Sequence, residues 1–238
     1  MHVFYTTAFQ GDKAILNEEE SLHLSKVLRL KEGTQVLLLD GIGGKFEGNI
    51  LSVHAKNSVV GNLVRIDSES KRPYRLHVAI SPTKMMERLE WFLEKATEIG
   101  IDEITILQSK RTERDQVKMQ RVEKIVLAAM KQSMNAQMPV LNESISFNSF
   151  MKKEISGARF IAHCIPGEKP LLTKKASNEK FITVLVGPEG DFTPEEVELA
   201  IKSGYEAISL GESRLRAETA GVIVCAQVQA AWQNVELH

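Results

Sequence analysis

Hydrophobic and polar positions alternate in short segments along the first third of the chain. Three such segments predict strands at residues 35–40, 45–53 and 58–66, and an amphipathic stretch at 18–28 predicts a helix before them. Glycine-rich or polar residues separate the strand segments, which is typical of turns. Strands of this length and spacing favour a small β-barrel or a strongly curled sheet.

A polar segment follows these strands and predicts a linker. It reads Asp67-Ser-Glu-Ser-Lys-Arg-Pro73, between two apolar regions. Polar residues that end in proline are typical of a connection between folded units. We therefore predict two domains, at residues 1–70 and 71–238.

Strand-like and helix-like segments alternate after this linker. The predicted strands are residues 75–80, 104–107, 159–163, 181–186 and 206–210, and the predicted helices are residues 84–99, 116–134, 194–204 and 218–232. Gly100 suits a helix end, and Thr193, Pro194 and Glu196 form the capping pattern of a helix start. Alternation of this kind favours an α/β fold with a largely parallel sheet. Ligands of such sheets bind beyond the carboxyl ends of the strands.

Composition places the chain among ordinary globular proteins. Its 238 residues carry a formal net charge of −1, and 43% of them are hydrophobic, so a core can form without a disulfide or a metal. Residues 71–131 hold 13 basic and 9 acidic side chains, an excess of four. This local excess of basic side chains is compatible with a polyanionic binding partner. A tighter basic cluster is either a solvated turn or a phosphate contact: Lys110, Arg111, Arg114 and Lys118.

The cysteines and the ends of the chain predict a cytoplasmic protein. Cys164 and Cys225 lie in apolar runs without metal-ligand spacing, so we expect two small buried hydrophobes in a reducing compartment and no metal. No apolar run reaches the length of about 18 residues that a membrane helix needs. The first residues lack the basic-then-apolar pattern of a signal peptide.

Two loops after predicted strands are the candidates for chemistry. One reads Gly187-Pro-Glu-Gly-Asp-Phe192, and the other runs from Leu210 to Ala220 and ends in small residues at the start of a helix. Glycine and other small residues leave backbone groups open to a ligand, although ordinary tight turns have the same composition. Other site patterns are absent from the sequence: a phosphate loop, a dinucleotide fingerprint, paired metal-ligand motifs and a hydrolase elbow.

Four segments carry a resemblance to a known family: residues 23–29 (HLSKVLR), 87–100 (ERLEWFLEKATEIG), 185–190 (LVGPEG) and 210–220 (LGESRLRAETA). Together they resemble the RsmE family of bacterial small-subunit ribosomal RNA methyltransferases, of the SPOUT class. The resemblance implies methylation of uridine N3 in 16S ribosomal RNA with S-adenosylmethionine, giving 3-methyluridine. It also implies an N-terminal PUA-like β-barrel that binds RNA and a C-terminal α/β domain tied in a trefoil knot.

The resemblance further implies a set of site residues. S-Adenosylmethionine would be bound by residues of both loops and of the strand before them: His163, Val186, Gly187, Pro188, Glu189, Gly190, Leu210, Gly211, Ser213, Leu215, Ala217, Thr219 and Ala220. Arg216 would stabilise the deprotonated uracil. Glu218 would either accept the proton or stabilise the start of the last helix. His163 is either structural or part of the site, and Glu189 is either a loop brace or a ligand partner.

RNA contacts and assembly are implied in the same way. The candidate phosphate contacts, each also explicable as a solvated charge, are Lys26, Arg29, Lys84, Arg88, Arg111 and Arg114. Two basic positions of many family members are Asn135 and Gln137 here, and Lys131 is one candidate to replace them. The apolar helix at 220–231 is either a core helix or, as the family implies, the interface of a homodimer. The binding partner would be 16S ribosomal RNA within the small ribosomal subunit, and the protein would not bind a membrane.

Other functions stay open at this stage. A SPOUT RNA methyltransferase with a different target would keep both glycine-containing loops and form another product. A non-catalytic RNA-binding module would need the barrel and the basic loops only. A nucleotide-binding regulator would bind ATP, and the missing phosphate loop argues against it.

Overall fold

A computed structural model describes residues 1–68, 72–114, 116–177 and 179–236, and the chain divides into two compact units. The first unit contains Met1–Lys71 and Leu127–Met138, and the second contains Arg72–Val126 and Pro139–His238. The middle of the predicted linker, and with it the predicted boundary at residue 70, lies outside the described residues. The short segment 127–138 that joins the first unit was not predicted from the sequence.

The first unit is built on a six-stranded, barrel-like sheet. Its strands are β1 (His2–Tyr5), β2 (Ala8–Gln10), β3 (Lys13–Ile15), β4 (Gln35–Leu39), β5 (Gly44–Ser52) and β6 (Val59–Ser68), in the order β1-β4-β5-β6-β3-β2. Strands β1 and β4 of this sheet pair in parallel, and bulges interrupt the pairing of β5 with β6. The three strands predicted here are confirmed within two residues. The three short strands β1 to β3 were missed.

The predicted helix at 18–28 has two parts. Helix α1 (Glu18–Leu22) begins after Asn17, whose side-chain oxygen accepts a hydrogen bond from the backbone amide of Glu20. A π-helical turn, His23–Val27, continues it. The wider turn still directs Leu24 into the core, where its side chain is fully buried.

Strand β4 is buried on both faces because its apolar residues are consecutive. Val36 and Leu38 pack into the interior of the sheet with Phe4. Leu37 and Leu39 lie on the opposite face, which the segment 127–138 covers through Leu127, Met130, Ala136 and Met138. Alternation along one strand thus explains why this later segment belongs to the first unit.

A buried ion pair also connects the segment 127–138 to helix α1 of the first unit. Lys131 Nζ lies 2.6 Å from Glu20 Oε1, and the two side chains are 21% and 5% exposed. The same ammonium lies 5.9 Å from the centre of the Phe4 ring. Lys131 therefore stabilises the packing of the first unit. It is not an exposed side chain that replaces a family arginine.

Replacing Lys131 by methionine is expected to lower the free energy of unfolding by about 2 kcal/mol, because it leaves the Glu20 carboxylate buried without its partner. Urea denaturation of both proteins measures this difference. The double variant Glu20→Leu with Lys131→Met is the matched control and should recover most of the loss. An unchanged midpoint for the single variant would contradict the role of the pair.

The second unit is a parallel six-stranded sheet with helices packed against it. The strands are β7 (Arg75–Ile80), β8 (Glu103–Gln108), β9 (Val140–Ser146), β10 (Ala158–Ala162), β11 (Phe181–Val186) and β12 (Glu206–Ile208), in the order β12-β10-β11-β7-β8-β9. The helices are α2 (Met86–Ile99), α3 (Met119–Ser133), α4 (Phe147–Phe150), α5 (Leu172–Ala176), α6 (Pro194–Lys202) and α7 (Ala217–Glu236), and the part of α3 from Leu127 onward belongs to the first unit. All neighbouring strands are parallel, so their carboxyl ends share one edge.

Local predictions in this unit are largely confirmed. Gly100 ends α2 with a left-handed backbone (φ 107°), and Thr193 and Glu196 form the capping box of α6. Strand β9 was missed because most of its positions are polar or exposed, as expected for an edge strand. The prediction that Cys164 is buried is wrong: it lies beyond the end of β10 and is exposed, whereas Cys225 is buried as expected.

Helix α7 packs against α2 at a position that requires glycine. A Cβ atom on Gly221 would lie 2.6 Å from the ring of Phe92. The buried face of α7 contains Val224, Cys225, Val228 and Ala231, while Val222, Ile223 and Ala226 are half-buried. Among the described residues, no helix combines the length and the apolar character that crossing a bilayer requires.

Candidate functional site

A cavity of about 770 Å³ opens at the carboxyl edge of the parallel sheet. Its walls come from the loops that follow β10, β11 and β12 and from the first turn of α7. This is the edge at which α/β sheets bind ligands, and the volume is within the usual range for small-molecule sites. Both glycine-containing loops predicted from the sequence lie in the wall.

Eleven of the thirteen residues predicted to bind the cofactor line this cavity: His163, Val186, Gly187, Pro188, Glu189, Leu210, Gly211, Ser213, Leu215, Ala217 and Ala220. The other two, Gly190 and Thr219, do not. The carbonyl of Gly190 instead accepts a hydrogen bond of 2.7 Å from Arg111 Nη1. Thr219 is half-buried in the first turns of α7.

The loop after β11 is shaped by a close approach and a strained residue. A Cβ on Gly187 would come within 3.2 Å of the ring and the backbone nitrogen of Phe192, which is fully buried. Asp191 has a left-handed backbone (φ 63°), and its Oδ1 accepts a hydrogen bond from the amide of Phe192 at 2.8 Å. The loop is therefore held by its own packing before any ligand is considered.

Glu189 serves as a loop brace. Its Oε1 accepts a hydrogen bond of 3.0 Å from the backbone amide of Lys84, and it lies 3.9 Å from Arg88 Nη1. These contacts connect the loop after β11 with the segment between β7 and α2. Because Glu189 also lines the cavity, the brace fixes part of the cavity wall.

Arg88 lies in the cavity wall between two carboxylates. Its Nε is 3.9 Å from Glu218 Oε1, and its Nη1 is 3.9 Å from Glu189 Oε1. The Glu218 side chain is 8% exposed, and its Oε2 has no hydrogen-bond partner among the described residues. Glu218 itself does not line the cavity. The carboxylate therefore faces Arg88 rather than the open space.

Arg216 lines the cavity with an exposed side chain. Neither it nor its neighbour Arg214 forms a side-chain hydrogen bond or ion pair with any residue that the structure describes. A guanidinium that is free of protein partners can take an oxygen of a ligand in its planar fork. Arg216 and Arg214 are thus both available at the cavity for a substrate anion.

His163 contributes an imidazole without partners to the same wall. Neither ring nitrogen has a hydrogen bond to the described part of the chain, although both are buried. Burial lowers the pKa of His163, the Lys169 ammonium lowers it further, and Asp191 acts in the opposite direction. The ring is consequently neutral near pH 7.

The predicted RNA contacts fall into two groups. Lys26 and Arg29 are exposed on the first unit. In the second unit, Lys84 forms an exposed pair with Glu113 (2.9 Å), which raises the lysine pKa. Arg114 donates to the carbonyls of Thr83 and Lys84. Arg111 and Arg114 therefore brace loops, which favours a structural role for these two members of the basic cluster.

Several lining residues were missed by sequence reasoning: Ala162, Cys164, Lys169, Asp191, Ile208, Ser209, Glu212 and Arg214. Asp191, Glu212 and Arg214 lie inside the two predicted loops, and Ala162, Cys164, Ile208 and Ser209 lie within two positions of predicted site residues. Lys169 had no local signal. The described residues contain no cluster of three or more His, Cys, Asp or Glu side chains suited to a metal ion.

Comparison with known families defines the class of protein. Residues 70–229 match the family model described as an RNA methyltransferase domain, and residues 16–64 match an RNA methyltransferase PUA domain. The first match contains the parallel sheet with its cavity. The second lies within the barrel-like unit.

Comparison with individual relatives identifies the family within this class. Ribosomal RNA small subunit methyltransferase E of Rickettsia conorii is 31% identical over 233 residues, which cover 95% of this chain and 93% of that protein. The chain belongs to the family of the ribosomal RNA small subunit methyltransferases E. This confirms the resemblance that four sequence segments indicated.

Two solved structures share the fold over nearly the whole chain. A probable rRNA-methyltransferase from Porphyromonas gingivalis is 34% identical with a TM-score of 0.85, and the match covers 99% of this chain and 100% of that one. A Legionella pneumophila protein, solved in complex with the cofactor SAM, is 27% identical with a TM-score of 0.85 over 96% and 97% of the chains. The α/β fold with a barrel-like N-terminal unit is confirmed, and the trefoil knot stays a prediction.

Proposed function

We propose that this protein transfers the methyl group of S-adenosylmethionine to N3 of a uridine in 16S ribosomal RNA and so forms 3-methyluridine. The observation that carries the proposal is the cavity at the sheet edge, which brings together two separate glycine-containing loops and an unpaired arginine. Membership of the family supports the RNA substrate. The cavity has the size and position for the cofactor.

The cofactor binds in this cavity against both loops. S-Adenosylmethionine supplies a sulfonium-activated methyl group, and its transfer is a direct displacement that depends on alignment. Gly187 and Gly211 both line the cavity, and a Cβ on Gly211 would meet no atom within 4 Å, so the backbone there is open to the ligand. Ala217 and Ala220 leave room for it at the first turn of α7.

Arg216 stabilises the anion that forms when uridine loses its N3 proton. Its unpaired guanidinium binds a uracil oxygen and lowers the energy of the deprotonated ring. Glu218 acts through Arg88: the buried carboxylate positions the Arg88 guanidinium in the cavity wall. This geometry supports a positioning role for Glu218 over that of a proton acceptor.

Each domain has its own role. Residues 1–70 form a PUA-like domain that binds RNA, and residues 71–238 form the SPOUT domain that transfers the methyl group. Exposed Lys26 and Arg29 contact phosphate groups, because cations on a surface attract the RNA backbone. The half-buried apolar side chains of α7 form the interface of a homodimer. The enzyme acts in the cytoplasm on the small ribosomal subunit.

Methyl transfer can be tested with S-adenosylmethionine that carries an isotopic label. Small ribosomal subunits and transfer RNA from cells that lack this modification are incubated with the protein and S-adenosylmethionine labelled in the methyl group. We expect label in 16S ribosomal RNA. Label in transfer RNA alone would indicate a related methyltransferase with another target. Failure of the protein to bind S-adenosylmethionine would favour a non-catalytic RNA-binding module.

A further inference from the structure

Most charged side chains in the cavity wall are paired within the protein. Lys169 Nζ donates hydrogen bonds of 3.0 and 2.6 Å to two backbone carbonyls of the loop after β10. The Asp191 carboxylate accepts hydrogen bonds from two backbone amides, each at 2.8 Å. Arg88 lies 3.9 Å from the carboxylates of Glu189 and Glu218. These charges therefore hold the wall itself in place.

The charged groups of the wall that lack a protein partner lie on the loop after β12. Glu212, Arg214 and Arg216 line the cavity and are exposed. None of them forms a side-chain hydrogen bond or ion pair with any residue in the described ranges. Two cations and one carboxylate give this loop a net charge of +1. An anionic group of a ligand is therefore attracted to it.

Arg214 and Arg216 are close enough to contact the same nucleotide. Their Cα atoms are at most about 7 Å apart, because a single residue separates them. A nucleotide in RNA presents two kinds of oxygen to a guanidinium, the carbonyl oxygens of its base and the anionic oxygens of its phosphate groups. The base must enter the cavity to meet the methyl group, whereas a phosphate stays at the exposed rim because removing its charge from water is costly.

We propose that Arg214 binds a backbone phosphate beside the target uridine while Arg216 contacts the uracil, so that one loop holds the nucleotide at two points. The inference rests on the proposed function, because it assigns a second part of the same substrate to this site. The phosphate has the same charge before and during methyl transfer. Its contact with Arg214 therefore strengthens binding of the ground state and of the transition state equally.

Replacing Arg214 by alanine separates this role from that of Arg216. The Kd for small ribosomal subunits that lack the modification is measured without cofactor, and KM and kcat are measured at saturating S-adenosylmethionine. Both Kd and KM for the subunits should rise about tenfold, which corresponds to about 1.4 kcal/mol. The value of kcat should stay within about twofold of the wild type, as expected when uniform binding is lost. The Kd for S-adenosylmethionine should not change.

The salt dependence of binding identifies the lost contact as a phosphate. A plot of log Kd against log salt concentration should become shallower by about 0.7–0.9 in Arg214→Ala, the change expected for one phosphate contact. Arg214→Lys should recover most of the affinity, because an ammonium binds phosphate as a point charge.

Arg75→Ala is the matched control for loss of one positive charge. Arg75 is exposed at the start of β7, on the amino edge of the same sheet. The length of this strand, about 17 Å from Arg75 to Ile80, separates it from the carboxyl edge. That distance exceeds the screening length of about 8 Å at physiological salt. The RNA affinity and the salt slope of this variant should equal those of the wild type.

Three results would overturn the inference. Wild-type RNA affinity and salt slope in Arg214→Ala would show that this side chain contacts no phosphate. An equal loss in Arg75→Ala would show that only the total charge matters. A weaker Kd for S-adenosylmethionine with unchanged RNA affinity would assign Arg214 to the carboxylate of the cofactor. A wild-type protein that forms no 3-methyluridine on these subunits would instead overturn the proposed function, and this inference with it.

Discussion

Replacing Arg216 by alanine is expected to lower kcat for methyl transfer by about 10²–10³-fold while leaving the affinity for S-adenosylmethionine unchanged. This is the usual effect of removing one group that stabilises a developing anion. Arg216 lines the cavity with no protein partner, so its charge is available for the uracil ring. The turnover rate with saturating RNA and cofactor, together with calorimetry of the cofactor, measures both effects.

The matched control is Arg121→Ala, which removes an arginine of the same unit that is paired with Glu90 on the surface of α3. It should leave both quantities close to their wild-type values. Loss of cofactor affinity in Arg216→Ala would place Arg216 in the cofactor pocket. Full activity in that variant would contradict its catalytic role.

Replacing Ala220 by leucine is expected to raise the Kd for S-adenosylmethionine about 100-fold, which corresponds to about 3 kcal/mol. Ala220 is half-buried and lines the cavity at the start of α7, so a larger side chain extends into the space that the cofactor needs. The melting temperature should change little because the added atoms enter an open cavity. Calorimetry and thermal unfolding measure the two quantities.

Ala128→Leu is the control for added bulk, because Ala128 is exposed on α3 and lines no cavity. Its cofactor affinity should equal that of the wild type. Wild-type affinity in Ala220→Leu would show that the cofactor binds elsewhere, and the assignment of this cavity would fail.

Local sequence patterns predicted the elements whose burial follows a simple period. Phe181–Val186 is apolar at every position except Thr183, and the structure gives the same bounds to β11. The start of α6 was predicted because its cap depends on side chains only three residues apart. Strand β9 was missed because this edge strand carries mostly polar or exposed residues. Strands β1, β2 and β3 were missed because they have only three or four residues each, too few to show an alternating pattern.

The site was predicted where small residues follow a strand and missed where distant parts of the chain meet. Gly187 and Gly211 were recognisable because their loops follow apolar strands. Arg88 was predicted to contact phosphate, and only the packing of α2 beside α7 places it against Glu218. Lys169 contributes through two backbone carbonyls of an earlier loop, and no local pattern encodes such a contact.

Nucleoside mass spectrometry tests the central claim most directly. Small ribosomal subunits without the modification are incubated with the protein and S-adenosylmethionine, and their RNA is digested to nucleosides. The proposed function predicts new 3-methyluridine, absent when the cofactor or the protein is omitted and strongly reduced with Arg216→Ala. A different methylated nucleoside as the product would contradict the assignment of uridine N3.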